Sequence, residues 1–393
     1  MNAIEPQVHQ LLRDPFSAIG REITQANHLP GYIYSSPEVA RLEKERIFMR
    51  HWLCVAREEE IAKPGDYVAL RIAGEPVVIS RNADSRVTAF MNVCLHRGVE
   101  IAYGAGNADV FRCPYHSWAY DVEGKLIGAP RIRETGRDMS GCSLPRVRSA
   151  VWQGWVFINF DPSAQAFEDF IRPVEQAAPW YRTGECRIAR KLTFEVNCNW
   201  KFIAENLLDW YHASVVHAGT FGKYYKLGSE PLPATLLPQG ASVIQFDNKS
   251  RSVDPNLPFP PLPWLSGVSV FSGKGAIFPN INFWSGMDSL RMWHLWPVSP
   301  GQTHAVCYIL LPEAAFGVEG FDAKLNQYAN YVEQVALEDR GALESLQRGV
   351  DSAYFVPGPL SHLELQLQHL LKRYVEVMGF DHGSSTASPD HAS

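Results

Sequence analysis

Cys94-Leu95-His96 and Cys113-Pro114-Tyr115-His116, with sixteen residues between them, form a Cys-x-His arm and a Cys-x2-His arm. Four thiolate and imidazole donors at such spacing bind a transition metal, and tetrahedral zinc is the generic expectation for a Cys2His2 set. Zinc sites tend to pair cysteine with cysteine and histidine with histidine locally, whereas here each arm supplies one of each. That mixture suits a binuclear iron–sulfur cluster in which one iron takes both thiolates and the other both imidazoles. Gly98, Pro114 and Ser117 permit tight loops whose backbone N–H groups can point at bridging sulfides.

A second set of donors lies in Asp209-x2-His212-x4-His217. At about 100° per residue on an ideal helix, Asp209 and His212 share a face, but His212 and His217 lie roughly 140° apart. For both imidazoles to reach one metal the helix has to end, bulge or bend between them, and Gly219 is placed to terminate it. Two histidines and one carboxylate on one face of a metal leave positions open, which is how non-haem Fe(II) admits dioxygen. The carboxylate is sought in a helix predicted over 321–348, which offers Glu333, Glu338, Asp339 and Glu344. Its apolar stripe runs Leu325, Tyr328, Val332, Val335, then Ala342 and Leu346, and a step of three or four from Val335 lands on Asp339. An unpaired buried carboxylate costs several kcal/mol, to be offset by a cation. Asp339 is therefore the expected third ligand, the other three acids lying nearer solvent, with a buried arginine pair as the competing explanation. Asp209 is left with two jobs, ligand in place of Asp339 or orienting partner of a ligating imidazole, and the second is preferred.

These residues need two kinds of scaffold. From Gly65 onward, β-rich runs at 66–72, 75–81, 86–93, 109–113, 118–121 and 151–160 alternate with turn residues and predict a small antiparallel β domain. A connecting helix is expected at 167–181. Beyond Gly184 come a strand at 188–196, a helix at 200–217, a Pro-rich irregular stretch at 231–264 and strands at 268–271, 277–284, 290–298 and 304–311. Helices at 321–348 and 361–377 follow, and an antiparallel sheet flanked by helices makes the fold class α+β. The expected division is an N-terminal helical segment at 1–44 packing on the catalytic part, a cluster domain at 45–162, an iron domain at 163–382 and a disordered polar tail at 383–393.

The net charge of −6 and the lack of a Lys/Arg stripe give no footprint for nucleic acid or an anionic membrane. No apolar run reaches bilayer length and no secretory leader pattern opens the sequence, so a cytoplasmic location is expected. Seven cysteines, an odd and scattered set, point to reduced thiols. Cys54, Cys142, Cys186, Cys198 and Cys307 have no ligand spacing, and His294, His304, His362 and His369 are expected to be structural.

Cys-x-His-Arg-Gly followed by Cys-x-Tyr-His-x-Trp resembles the Rieske cluster motif. With the second set in this order, the chain resembles the catalytic α subunit of the Rieske non-haem iron oxygenases, the aromatic ring-hydroxylating dioxygenases and related demethylases, from about Tyr34 to Gly349. The resemblance implies Cys94, His96, Cys113 and His116 as ligands of a [2Fe–2S] cluster, and His212, His217 and Asp339 as ligands of Fe(2+). It implies that Asp209 bridges the iron site to the Rieske histidine of a neighbouring subunit in a head-to-tail homotrimer, or in an α3β3 assembly with a small subunit. A helix-grip catalytic domain and a separate NAD(P)H-dependent reductase, with or without a ferredoxin, are implied too, and no Gly-rich dinucleotide fingerprint appears in this chain. The expected reaction is O2-dependent hydroxylation of a small aromatic compound. The alternative is demethylation or hydroxylation of an N-methyl or quaternary ammonium compound, for which Trp264, Trp284, Trp293 and Trp296 could form an aromatic cage. Phe202, Asn206, Leu207, Phe278, Asn282 and Trp284 are the candidate walls of the substrate pocket.

Overall fold

A computed structural model of the chain describes residues 15–20, 22–222, 233–247, 258–265 and 271–379. Alternating apolar runs broken by turns give β1 (Leu53–Arg57), β2 (Asp66–Ile72), β3 (Glu75–Arg81), β4 (Val87–Met91), β5 (Ala105–Asn107), β6 (Val110–Arg112), β7 (Ala119–Asp121), β8 (Leu126–Gly128), β9 (Arg146–Trp152) and β10 (Trp155–Asn159). Seven of them form a sheet in the order β1-β10-β9-β4-β3-β2-β5, and β6-β7-β8 form a separate small sheet. The run 151–160, expected to be one strand, turns back on itself: Gln153 and Gly154 take φ of 52° and 76°, and Trp152 pairs with Trp155 across the β9–β10 hairpin. Two consecutive positive φ values are what a two-residue hairpin requires, and Gly154 was the signal.

The second sheet runs β11 (Cys186–Val196), β12 (Ala234–Leu236), β13 (Ser242–Asp247), β14 (Phe271–Ile277), β15 (Ile281–Ser285), β16 (Leu290–Ser299) and β17 (Gln302–Pro312), ordered β11-β17-β16-β15-β14-β13-β12. Strands β12 and β13 fall in the stretch read as irregular, because prolines on either side hid their short apolar alternation. The run 277–284 contains a turn at Phe278-Pro279-Asn280, with a cis Phe278–Pro279 peptide, and is not one strand. The strand expected at 268–271 lies outside the described residues except for Phe271, which begins β14. The tail 383–393 lies outside them as well.

Helices α1 (Pro15–Ile19), α2 (Tyr32–Ser35) and α3 (Pro37–Glu43) precede the first sheet, and α4 (Phe167–Ala177) joins the two. Next come α5 (Trp200–Asn206), α6 (Ala213–Val216), the 30-residue α7 (Phe321–Val350) and α8 (Leu365–Met378). The buried stripe of α7 is Leu325, Ala329, Val332, Asp339, Leu343, Gln347 and Val350. Past Asp339 it follows the 3.6-residue period through Leu343, so Leu346, read as part of the stripe, is exposed. The N-terminal segment is fastened to α5: Tyr34 Oη donates to Glu205 Oε1 at 2.8 Å, Asn199 Nδ2 donates to the Tyr34 carbonyl at 3.0 Å, and buried Lys201 pairs with buried Glu43.

The two sheets share one core. Trp52, Trp155 and Phe157 pack with Phe283, Met292 and Tyr308, and the Asn280 amide bonds both the N–H and the carbonyl of Cys54. Burial holds the second sheet rigidly against the first, which fixes the wall on which the catalytic residues sit. Among the described residues no helix is long and apolar enough to cross a membrane.

Candidate metal centres and substrate cavity

The two Cys/His arms are copies of one turn. Gly98 N donates to the Cys94 carbonyl at 2.9 Å and Cys94 N to the Val99 carbonyl at 2.9 Å. Likewise Ser117 N donates to the Cys113 carbonyl at 3.0 Å and Cys113 N to the Trp118 carbonyl at 2.8 Å. The fifth residue of each turn has positive φ, 78° at Gly98 and 59° at Ser117. Both thiols are buried and both imidazoles exposed, with His96 Nδ1 and His116 Nδ1 facing each other at 3.1 Å. Two Nδ1 atoms so placed can share a proton or, both deprotonated there, a metal ion. Among the described residues the trio whose ligand atoms gather within 4.8 Å of one another is His212, His217 and Asp339, and no three of these four arm residues do so. A single zinc ion needs four donors around one point; a binuclear cluster needs thiolate and imidazole pairs set apart, as here. Tyr120 Oη lies 3.2 Å from Cys94 Sγ and accepts from Leu95 N, and the Trp118 ring stacks on His96 with centroids 5.1 Å apart.

The second set is held by a break in helical structure. Helix α5 ends at Asn206, and the chain restarts in the single turn of α6, with His212 as its N-cap and His217 as its C-cap. The break precedes His212 and does not fall between the histidines; they bracket one turn, and so both rings reach α7. Asp209 Oδ2 accepts from His212 Nδ1 at 2.9 Å, and Glu338 Oε2 from His217 Nδ1 at 2.9 Å. With each Nδ1 proton given to a carboxylate, each Nε2 presents a lone pair. These lone pairs face Asp339 Oδ1 at 3.5 Å from His212 and 3.1 Å from His217, and that oxygen is buried without a hydrogen bond. Three acceptors converging without a proton fit a metal ion. The electrostatics agree: burial would lower the His217 pKa, but Asp339 and Glu338 outweigh it and raise it, so the point favours positive charge.

The stripe of α7 places Glu338 nearer solvent with Glu333 and Glu344, and the structure corrects this for Glu338. It is instead the orienting partner of His217, further held by Thr220 Oγ1 at 2.7 Å. Gly219 leaves the space that Glu338 occupies, for a Cβ there would come within 2.8 Å of Glu338 Oε1. Gly219 thus makes room for that carboxylate in addition to lying past the end of α6. Glu333 is exposed, while Glu344 accepts from Asn197 and Arg340.

His212, His217 and Asp339 line one wall of a cavity of about 830 Å³, within the range of small-molecule sites. Asn206, Leu207, Asn282 and Trp284 line it, as do Trp293, Phe194, Lys274 and Arg291. Phe202 and Phe278 do not: Phe202 stacks on Tyr34 at 4.2 Å, and Phe278 packs against His51 and Trp200 in the core. Of the four tryptophans considered for a cage, Trp264 and Trp296 lie elsewhere, Trp264 donating to the Trp180 carbonyl. His294 is buried among Trp155, Trp296 and Tyr308, and His304 pairs with Glu195. Lys274 and Arg291 carried no periodic or spacing signal and were missed.

A family model described as the Rieske [2Fe-2S] domain matches residues 51–147, and one described as the ring hydroxylating alpha subunit, catalytic domain, matches residues 183–379. The carnitine monooxygenase oxygenase subunit of Acinetobacter pittii is 37% identical over 196 residues, 48% of this chain and 52% of that relative. The benzene 1,2-dioxygenase alpha subunit of Pseudomonas putida is 27% identical over 333 residues, 73% of this chain and 71% of that relative. The chain thus spans about half the length of the carnitine relative it matches. In three dimensions it superposes on a quaternary ammonium Rieske monooxygenase bound to an inhibitor with a TM-score of 0.75 at 26% identity, over 92% of this chain and 98% of the other. With its paired cluster arms, its His–His–Asp site and a match to the catalytic model over half its length, the chain belongs to the ring-hydroxylating α-subunit family of Rieske non-haem iron oxygenases.

Proposed function

We propose that the chain is the oxygenase component of a multicomponent system that inserts oxygen from O2 into a small quaternary ammonium or N-methyl compound. The observation that carries this reading is the convergence of His212, His217 and Asp339 on the wall of an aromatic-lined cavity. The ammonium compound takes precedence over the aromatic ring first expected, because carnitine monooxygenase subunits share 36–37% identity with this chain and benzene dioxygenase subunits 27–34%.

In this reading Cys94, Cys113, His96 and His116 hold the cluster, and His212, His217 and Asp339 hold iron. Iron with open positions supplies dioxygen binding and reduction, and a Rieske cluster supplies single electrons. The chain's own residues do the rest. Asp209 and Glu338 hold the Nδ1 protons by hydrogen bonds and fix both rings, and the aromatic cavity wall positions the substrate beside them. Asp209 stays 16% exposed, beside exposed Tyr211 and Val215, while Leu95 and Tyr115 are exposed next to the cluster histidines. These two apolar surfaces support docking of one subunit's cluster tip beside the next subunit's Asp209, in a trimer served by a separate reductase.

A single turnover tests the reaction without any partner. Protein reduced with dithionite, desalted and mixed with 18O2 and a panel of trimethylammonium and aromatic compounds should release an 18O-bearing product from the ammonium set. Product from the aromatic set alone, or from neither, would overturn the proposal.

A further inference from the structure

Another stretch of the cavity wall carries two cations that form no ion pair among the described residues. Lys274, Trp284 and Arg291 are direct neighbours across β14, β15 and β16, so their side chains leave the same face of the sheet into the cavity. Arg291 lies over the Trp284 ring with Cζ 3.8 Å from the centroid, and its buried Nε has no hydrogen-bond partner. Lys274 Nζ sits 3.5 Å from the centroid of Trp210. Among the described residues neither cation forms an ion pair. Lys324 lines the same cavity, and Asp288, the acid beside Arg291 among the described residues, is hydrogen-bonded to Ser289 Oγ and the Phe259 amide, with burial pushing its pKa up and Arg291 pulling it down by less. Burial pulls the Lys274 pKa down to about 7 against the opposing pull of Asp209 and Asp339, a penalty that an incoming anion would relieve.

The metal-site wall has the reverse sign, and it lies near enough to Lys274 for Asp209 and Asp339 to act on it. Asp209, Glu338 and Asp339 surround a point that would hold a divalent ion, leaving that wall net negative. Such a field orients a molecule that is positive at one end and negative at the other, and it repels a bare cation from the Lys274–Arg291 end.

We propose that the substrate bears a carboxylate that binds at Lys274 and Arg291, with its ammonium end turned toward His212, His217 and Asp339. This rests on the quaternary ammonium reading for the second end only; the anion subsite stands on the two cations themselves. Strand spacing puts Lys274 and Arg291 about 10 Å apart at the backbone, within reach of one carboxylate for two such long side chains.

The test is equilibrium binding to the full-length, metal-loaded, oxidised protein without oxygen, followed by calorimetry. The probes are γ-butyrobetaine and its carboxamide, and benzoate and benzamide. In the wild type the trimethylammonium acid should bind roughly 10- to 100-fold more tightly than its amide, the value of one charge-assisted contact. Lys274→Met and Arg291→Met should each shrink that ratio several-fold with little change for the amide, and Arg291→Lys should restore part of it. The cluster absorption spectrum checks that each variant is folded. Equal binding of acid and amide by the wild type, or no binding of either acid, overturns the proposal whatever the variants do. A preference that survives both Met variants overturns the assignment to these residues. A preference seen with benzoate alone keeps the anion subsite and sinks the quaternary ammonium reading.

Discussion

Tyr120 and Glu338 act through a neighbour rather than by touching substrate, and each has a separable effect. The Tyr120 hydroxyl is fully buried beside Cys94 Sγ, where burial and the thiol both raise its pKa, so it remains a donor to sulfur. A hydrogen bond to a cluster ligand stabilises the reduced, more negative state. Tyr120→Phe should lower the cluster potential by roughly 40 mV, the one-electron equivalent of a bond of about 1 kcal/mol, in a redox titration followed by electron paramagnetic resonance. An unchanged potential would mean that the hydroxyl bonds Leu95 alone. Glu338→Ala should weaken iron binding to His217 by about 10- to 100-fold while leaving the cluster spectrum intact. The ligand types were legible in the sequence because Cys-x-His and Asp-x2-His are local patterns. Glu338 was not: it lies about 100° round the helix from Asp339, off the buried stripe, and only the position of α6 against α7 brings it to His217.

At the scale of elements, the site depends on α6 being a single turn between two histidines. Gly222 N and Thr220 N both close on the His217 carbonyl, and a Cβ at Gly222 would come within 2.6 Å of the Ala213 and His217 carbonyl oxygens. Backbone atoms cannot swing aside as a side-chain end can. Gly222→Ala should therefore displace His217, with loss of most mononuclear iron, retention of the cluster and a drop of several degrees in melting temperature. Normal iron content in that variant would show that the turn tolerates a wider path. Long amphipathic elements such as α7 and β17 were readable from periodicity alone. The runs 151–160 and 277–284, each expected to be one strand, span the turns of the β9–β10 and β14–β15 hairpins, because apolar residues flank both turns and the turns show only in Gly154 and Pro279. The break before His212 follows from packing against α7, which no local signal carries.

Across the whole molecule, the pH dependence of stability is set in part by a group buried at the seam between the two sheets. His294 lies fully buried against Trp155 and Tyr308, and desolvation, with a smaller push from Lys191, lowers its pKa to about 3. Its folded pKa is depressed, so its neutral burial is free of penalty above the ordinary value near 6.5. Below that value the unfolded chain gains a proton that the folded chain refuses. Stability should fall by roughly 1.4 kcal/mol per pH unit on this account down to about 3. His294→Phe should flatten that slope in melting experiments between pH 7 and 5, and an unchanged slope would assign the acid sensitivity to other groups. The central claim, two distinct metal centres in one chain, is tested most directly by iron and acid-labile sulfide analysis of the wild type beside Asp339→Ala. The wild type should hold about three irons and two sulfides per chain, and the variant about two and two with the rhombic Rieske signal unchanged. Zinc without sulfide in the wild type, or three irons retained after removal of Asp339, would contradict that claim.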